Sequence, residues 1–193
     1  MARTYFDPAH HDFSNAAHDQ AQRLIYPHLF PQQRYRPEWL SFETTNLNKG
    51  GMAVILDAEM ATDRIVRVHG YDYMNPFCFS VQERFRDPRF LRSHGPELTI
   101  TEWNNASGLP SELYKLYAGI FVYGYFDAQQ NAFPAWIAVN TCAMMLALLA
   151  DNLKGISSAQ NNKRQDFIAI PFASLAQVDG VVIAMGLGEQ VTR

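Results

Sequence analysis

Acidic and basic side chains are concentrated between residues 57 and 92, within two runs that are otherwise rich in strand-forming residues. Asp63 stands at the start of the first run, and Glu83 lies inside the second. Four arginines follow Glu83 closely: Arg84, Arg86, Arg89 and Arg92. Carboxylate oxygens are ligands for hard cations such as Mg²⁺ or Mn²⁺, and guanidinium groups bind phosphate. This combination predicts a site that cleaves a phosphodiester bond.

The elements that would position these residues form a hairpin. The two strand-forming runs extend over residues 64–69 and 77–85 and flank a segment of turn formers, which are Gly70, Asp72, Asn75 and Pro76. Such a segment between two β-rich runs predicts a strand, a tight loop and a second strand. Charge inside a strand is unusual, because strands favour apolar and β-branched residues. Glu83 is therefore a candidate for a function beyond packing.

Hydrophobic periodicity predicts the remaining elements. Helices are expected over residues 14–29 (capped by Ser14), 112–118 (capped by Ser111) and 141–153, the last of them buried. Further strands are expected over residues 98–103, 120–126, 132–139, 167–170 and 180–184. Residues 152–166 are polar and expected to be mobile. This order predicts an α/β fold with a central mixed β-sheet that helices flank on both faces.

The composition is typical of an ordinary globular protein. Its 193 residues are 48% hydrophobic and 18% charged, which fits one domain over residues 1–193. The formal charge of −3 gives no overall basic field for nucleic acid. Cys78 and Cys142 lie in apolar runs and are expected to be buried and reduced. With no signal peptide or membrane-spanning run in the sequence, a cytoplasmic protein without a membrane partner is expected.

The hairpin and its surroundings resemble the PD-(D/E)XK nuclease superfamily, which has the restriction-endonuclease-like fold. The residues that carry the resemblance are Asp57 to Asp63-Arg-Ile-Val, then Ser80-Val-Gln-Glu-Arg-Phe-Arg86, preceded by a leading helix and followed by a strand, a helix and a further strand. It covers roughly Ser14 to Phe126. It implies a nuclease-like core over residues 13–126. The residues before it, 1–12, are expected to be loose, and residues 127–193 are expected to form a C-terminal elaboration of strands and helices.

The resemblance implies that Asp63 is the first metal ligand and that the second strand supplies an acid and a lysine two residues apart. That spacing places both side chains on one face of a strand. Here the same spacing pairs Gln82 with Arg84, or Glu83 with Phe85. Arginine does not give up its proton, so it stabilises charge but is not a base. Metal-bound water can supply the nucleophile, and a bulge could re-aim Glu83. Two alternatives follow. Either the protein is an active enzyme with a modified site, or it has the nuclease fold but does not catalyse the reaction.

The resulting hypothesis is an endonuclease-like protein that hydrolyses DNA with one or two Mg²⁺ or Mn²⁺ ions. Asp63 and Glu83 would bind metal, with Asp57 or Gln82 completing the ligand set, and Asp19 would orient a water or a metal. Arg84 and Arg86 would stabilise charge on the phosphate. The predicted nucleic-acid-binding residues are Arg84, Arg86, Arg89, Arg92 and Lys115.

Two alternatives remain. One is a catalytically inactive nuclease-fold protein of a phage or mobile element, which binds nucleic acid or a protein partner. The other is a structural or assembly protein, for which the aromatic run Phe121 to Phe126 suggests a homodimer. Each residue also has an ordinary explanation: Asp63 as a strand-end turn residue, Glu83 as the partner of an arginine, and the arginines as a solvated edge.

Overall fold

The computed structural model describes residues 8–31, 35–41, 63–70, 77–105, 107–161, 165–188 and 190–192. The helices are α1 (Pro8–Leu24), α2 (Tyr26–Leu29), α3 (Pro88–His94), α4 (Glu112–Lys115), α5 (Thr141–Leu149) and α6 (Phe172–Leu175). The strands are β1 (Tyr35–Ser41), β2 (Arg64–Gly70), β3 (Phe77–Arg86), β4 (Glu97–Asn104), β5 (Leu109–Pro110), β6 (Ile120–Asp127), β7 (Ala132–Asn140), β8 (Ser157–Asn161), β9 (Gln165–Pro171), β10 (Val182–Leu187) and β11 (Gln190–Thr192). Helices and strands therefore mix along the chain, which confirms the α/β class.

The larger sheet has seven strands in the order β1-β2-β3-β6-β7-β10-β11. Its neighbouring strands are antiparallel except for β3 and β6, which run parallel with Gln82 beside Phe121 and Arg84 beside Tyr123. A parallel pair needs a long crossover. That crossover contains α3, β4, β5 and α4. The sheet is therefore mixed, as expected.

A second, antiparallel sheet has the order β5-β4-β9-β8 and covers one face of the first. In it β4 pairs with β9, from far along the chain, so that Leu98 lies opposite Ile170. Helices α1 and α2 cover the other face of the larger sheet through Ala17, Ala21 and Ile25. Both faces are therefore buried, one under helices and one under a sheet together with α5.

Strand β6 lies at the centre of this arrangement. Phe121, Tyr123 and Tyr125 point into the core between the two sheets, and Val122 and Phe126 point into the core under α1. All of these side chains are buried. The aromatic run that suggested a structural or assembly protein therefore fills the two cores and does not lie on the surface. A homodimer stays a prediction.

The two strands of the hairpin were predicted correctly: β2 and β3 are antiparallel, with Arg64 opposite Val81. Gly70 is the last residue of β2, and the expected turn residues Asp72, Asn75 and Pro76 lie outside the described residues. The leading helix begins earlier than expected, at Pro8, so residues 8–12 are helical and not loose, and Ser14 is inside the helix and not its cap. Proline suits a first helical turn because its missing N–H has no partner there anyway. No helix within the described part of the chain is long and apolar enough to cross a membrane.

Four further expectations need correction. The helix after Ser111 stops at Lys115, and the Ser111 side chain makes no capping bond. Residues 152–166 were expected to be mobile and instead contribute β8, because their backbone pairs with β9. Helix α5 is not fully buried and ends at Leu149, and its N-cap is Asn140. Both cysteines are exposed. Cys78 lies on the end of β3 beyond its pairing with β6, and Cys142 faces outward on α5.

Candidate functional site

Glu83 is the centre of a buried polar group, here termed the Glu83 cluster, which comprises His18, Tyr26, Asp63, Arg64 and Glu83. The side chain of Glu83 is only 4% exposed. The imidazole Nδ1 of His18 lies 3.0 and 2.8 Å from its two carboxylate oxygens. The phenol of Tyr26 donates to Oε1 in a short hydrogen bond, and Nε of Arg64 donates to Oε2 at 3.4 Å. A buried carboxylate needs such partners.

Helix α1 brings His18 to this cluster because His18 falls on the apolar face that also carries Ala21 and Ile25, three and seven residues further on. Gln22, one turn later, places its amide nitrogen 2.7 Å from Nε2 of His18. An amide can present its N–H or, turned over, its oxygen, so Gln22 can serve a neutral or a charged imidazole. The Glu83 cluster thus joins α1 and α2 to the larger sheet.

The electrostatics of the cluster favour an ionised Glu83. Burial alone raises the pKa of a carboxyl group, but the hydrogen bond and charge of His18, the charge of Arg64 and the hydrogen bond from Tyr26 outweigh it. The pKa of Glu83 is therefore below its usual value. The pKa of Tyr26 is raised well above the ordinary value, by burial and by the neighbouring Glu83 carboxylate. The phenol therefore remains a donor.

Asp63 lies beside Glu83, as the hairpin predicted. Its Oδ2 accepts the backbone N–H of Glu83 at 2.7 Å, and its own N–H donates to the carbonyl of Val81. Antiparallel strands place the two acidic residues together at this point. Over the described ranges, however, no three His, Cys, Asp or Glu side chains form a group that could hold a metal ion. Asp57, the expected additional ligand, lies outside the described residues.

Arg84 is not part of this cluster. Alternation along β3 sends Glu83 toward α1 and Arg84 toward the second sheet. There its guanidinium forms an ion pair with Glu112 on α4, and its Nη1 donates to the carbonyl of Thr99 at 3.3 Å. Gln82 shares this face and is buried, and its Oε1 accepts no hydrogen bond from the described residues. The guanidinium that does reach Glu83 belongs to Arg64, which sequence reasoning did not select.

Arg84 and the next three arginines form a second group, here termed the arginine surface: Arg84, Arg86, Arg89 and Arg92. Arg86 shares the face of Arg84, donates to Oγ1 of Thr99 and lies over the ring of Phe90 at 5.9 Å. Phe90 belongs to α3, which begins directly after β3. The contact between Arg86 and Phe90 thus places the arginines of β3 next to the helix that carries Arg89 and Arg92.

Asp87 is the residue between the end of β3 and the start of α3. It is the N-cap of α3, and its carboxylate accepts the backbone N–H of Arg89 at 2.8 Å and the side-chain Nε at 3.0 Å. These bonds and the charge of Arg92 lower the pKa of Asp87 below its usual value. Helix α3 was not predicted, although Asp followed by Pro is a signal for an N-cap and a first helical residue. Arg89 and Arg92 are exposed on it.

The remaining predicted residues lie at the edges of these two groups. Lys115 lies in α4, the helix that also supplies Glu112 to Arg84. Asp19 is exposed on α1, next to His18. His18, Tyr26 and Arg64 are the members of the Glu83 cluster that sequence reasoning missed. A polar side chain on the apolar face of α1 is the signal that could have identified His18.

Comparison with known proteins adds no assignment, because no family model, curated protein or solved structure matches this chain. The geometry of the two groups is therefore the basis for a functional proposal.

Proposed function

We propose that this protein binds nucleic acid, with DNA as the ligand, through the arginine surface of a restriction-endonuclease-like domain. One observation carries the proposal: Arg84 and Arg86 project from a single face of β3, and Asp87 turns the chain at once into α3, which exposes Arg89 and Arg92. Guanidinium groups on one continuous surface can contact successive phosphates.

The local charge balance supports this proposal despite the overall charge of −3. Two of the four arginines are paired with carboxylates, Arg84 with Glu112 and Arg89 with Asp87. Arg86 and Arg92 form no ion pair with any described residue, so their guanidinium groups are available to a phosphate. A local basic surface is sufficient for phosphate contacts, since salt screens distant charges beyond about 8 Å at physiological ionic strength.

The order of the elements supports the fold part of the proposal. The resemblance implies a leading helix, a strand that opens with an acid, a strand with the acidic and basic motif, and then a strand, a helix and a further strand. The corresponding elements are α1, β2 after Asp63, β3, β4, α4 and β6. The Glu83 cluster then has a structural role, because the carboxylate that would bind metal is already saturated by His18 and Tyr26.

The experiment measures the binding of a labelled DNA duplex by fluorescence anisotropy over a series of salt concentrations. Arg92→Ala is compared with Arg23→Ala, since both arginines are exposed and lie in the last turn of a helix, but α1 is on the opposite side of the sheet. Loss of one phosphate contact reduces the slope of log affinity against log salt by about 0.9. We expect this reduction for Arg92→Ala and none for Arg23→Ala. Equal losses in the two variants, or no salt-dependent binding by the wild type, would refute the proposal.

Metal-dependent hydrolysis of the bound DNA is a second candidate, favoured by the bond between Asp63 and the backbone of Glu83 on the neighbouring strand. The described residues do not fit a metal site by themselves, so Asp57 would have to complete the ligands for Mg²⁺ or Mn²⁺. The test is nicking of supercoiled plasmid with either ion. Hydrolysis predicts nicking by the wild type and its loss in Asp63→Asn, with Asp179→Asn, at an exposed acid outside both groups, as the control. If the wild type binds DNA without nicking it, hydrolysis is rejected and the binding proposal stands.

A further inference from the structure

Helix α5 presents an apolar face to solvent. Thr141, Met144 and Ala147 are buried against the core. On the opposite side, Cys142 is exposed, Leu146 is 61% exposed and Leu149 is 81% exposed. These three residues, here termed the α5 stripe, follow the spacing i, i+4, i+7 and therefore form one line along the helix. A surface helix normally places polar residues there, so the stripe marks an interaction surface.

The charge pattern of α5 restricts the partner. No residue from Asn140 to Ala150 is charged. Such a surface offers nothing to a phosphate backbone or to a charged peptide, whereas an uncharged apolar stripe is complementary to itself. A contact across a twofold axis places the same patch on both sides, which requires that self-complementarity. A second copy of this chain is the partner that meets the requirement.

The ends of α5 determine how two copies would be oriented. Asp151 follows Ala150, the C-cap of the helix, and is exposed, with a φ of 55°. A negative charge is unfavourable at the C-terminal end of its own helix and favourable at an N-terminal end. If two α5 helices pack antiparallel about an axis between residues 145 and 146, Asp151 of each chain lies opposite Asn140, the N-cap of the other helix. The same register pairs Cys142 with Leu149 and brings the two Leu146 side chains to the axis.

We propose that the chain forms a twofold dimer through the α5 stripe, with the two helices antiparallel in this register. The helix spans only about 13 Å, so the interface is smaller than the roughly 1,600 Å² of a standard-sized complex. The dimer is accordingly concentration-dependent. This proposal is independent of nucleic-acid binding, because α5 contributes no residue to the arginine surface.

The first test is sedimentation velocity of the full chain over a range of concentrations. The wild type is expected to shift from monomer to dimer as its concentration rises. Leu146→Asp and Leu149→Asp each raise the dissociation constant at least tenfold, because two carboxylates would be buried against apolar partners. Leu24→Asp, the same change at an exposed leucine on α1, leaves it unchanged. A wild type that stays monomeric throughout, or the same loss in Leu24→Asp, would overturn the proposal.

The second test determines whether the two α5 helices are antiparallel or parallel. It uses a Cys78→Ser variant, which removes the other cysteine. Under mild oxidation, Leu149→Cys forms a dimer on a non-reducing gel, linked from Cys142 of one chain to position 149 of the other. Residues seven apart in one helix are about 10 Å apart, too far for a disulfide within a chain. Adding Cys142→Ser must reduce this product sharply. Cross-linking through Cys142 alone, as parallel helices predict, or no cross-linking at all would contradict the proposal.

The third test concerns Asp151. Asp151→Asn removes the attraction to the partner's helix N-terminus, so we expect the dissociation constant to rise about two- to fivefold at low salt. The difference should shrink as salt increases. Asp19→Asn, an exposed acid on α1, is the control for the change in net charge. A tighter dimer in Asp151→Asn would indicate repulsion at this position and rule out the antiparallel register.

Discussion

Glu83 and Arg84 are adjacent in β3, but their side chains lie on opposite faces of the larger sheet. Glu83 binds His18 on α1, whereas Arg84 binds Thr99 on β4. The acidic and basic parts of the motif are therefore divided between two environments. One is a buried cluster that joins helices to strands, and the other is a partly exposed surface suited to phosphate.

Replacement of Glu83 tests the structural role of the buried cluster. Glu83→Gln keeps the shape but removes the buried negative charge that His18, Tyr26 and Arg64 contact, and we expect the free energy of unfolding at pH 7 to fall by about 3 kcal/mol. Urea unfolding measures it. Glu102→Gln is the control, because the Glu102 carboxylate accepts an exposed bond from Tyr114 and forms no ion pair with a described residue. That variant should lose less than about 1 kcal/mol. Equal losses would contradict the role assigned to Glu83.

The lowered pKa of Glu83 predicts an acid dependence of stability. In the unfolded chain Glu83 titrates at its ordinary pKa of about 4.3, so as the pH falls the unfolded state takes up a proton before the folded state does. The stabilisation is present above pH 4.3 and is lost as the pH falls through the folded value. Unfolding measured from pH 7 to pH 3 should therefore decline less steeply in Glu83→Gln than in the wild type.

Tyr26 predicts the opposite dependence at alkaline pH. Its raised pKa keeps the phenol protonated in the folded state, while the unfolded tyrosine ionises near pH 10. Stability from Tyr26 is thus complete below pH 10 and is lost as the pH rises further. Tyr26→Phe should cost about 1.5–3 kcal/mol at pH 7 and weaken the alkaline decline. Tyr117→Phe, at an exposed tyrosine, should do neither.

The N-cap of α3 can be separated from its ion pair. Asp87→Ala should lower the free energy of unfolding by about 1 kcal/mol, because the backbone N–H of Arg89 loses its acceptor. Asparagine caps equally well but carries no charge, so Asp87→Asn should remain close to the wild type. Thermal unfolding compares the two. If both variants lose the same stability, the ion pair with Arg89 and not the cap is responsible.

Gly186 is required by the indole of Trp136. A Cβ at position 186 would overlap the indole ring, which also stacks with His28. Gly186→Ala should therefore cost about 1–3 kcal/mol, through displacement of a well-packed ring. Gly119→Ala is the matched control, since a Cβ there meets only Ser80, at 3.8 Å or more. Near-UV circular dichroism should report the displaced indole in the first variant only.

The hairpin of β2 and β3 was predictable because its signals are local: two β-rich runs around a cluster of turn formers. The second sheet was not, because β4 finds its partner β9 far along the chain and no local pattern encodes that pairing. Helix α3 had a local signal in Asp87 and Pro88. The alternating arginines masked it, since they resemble an edge strand.

The site was predicted in part for the same reason. Asp63 and Glu83 lie together because hairpin register is local. The partners of Glu83 come from α1 and α2, and only the tertiary fold could reveal that His18 and Tyr26 saturate the carboxylate. Strand alternation alone already separates Glu83 from Arg84. The resemblance to a nuclease motif grouped the two residues because they are adjacent in the sequence. In β3, however, their side chains lie on opposite faces.

The distant pairing of β4 with β9 has a consequence for synthesis of the chain. Glu97 cannot meet Pro171 until the ribosome has added the segment between them, which takes roughly 4 to 15 seconds at about 5–20 residues per second. During that interval Leu98 and Ile100 have no covering strand. A nascent chain stalled or truncated before Pro171 should therefore recruit chaperones and aggregate, even though its hairpin is already complete.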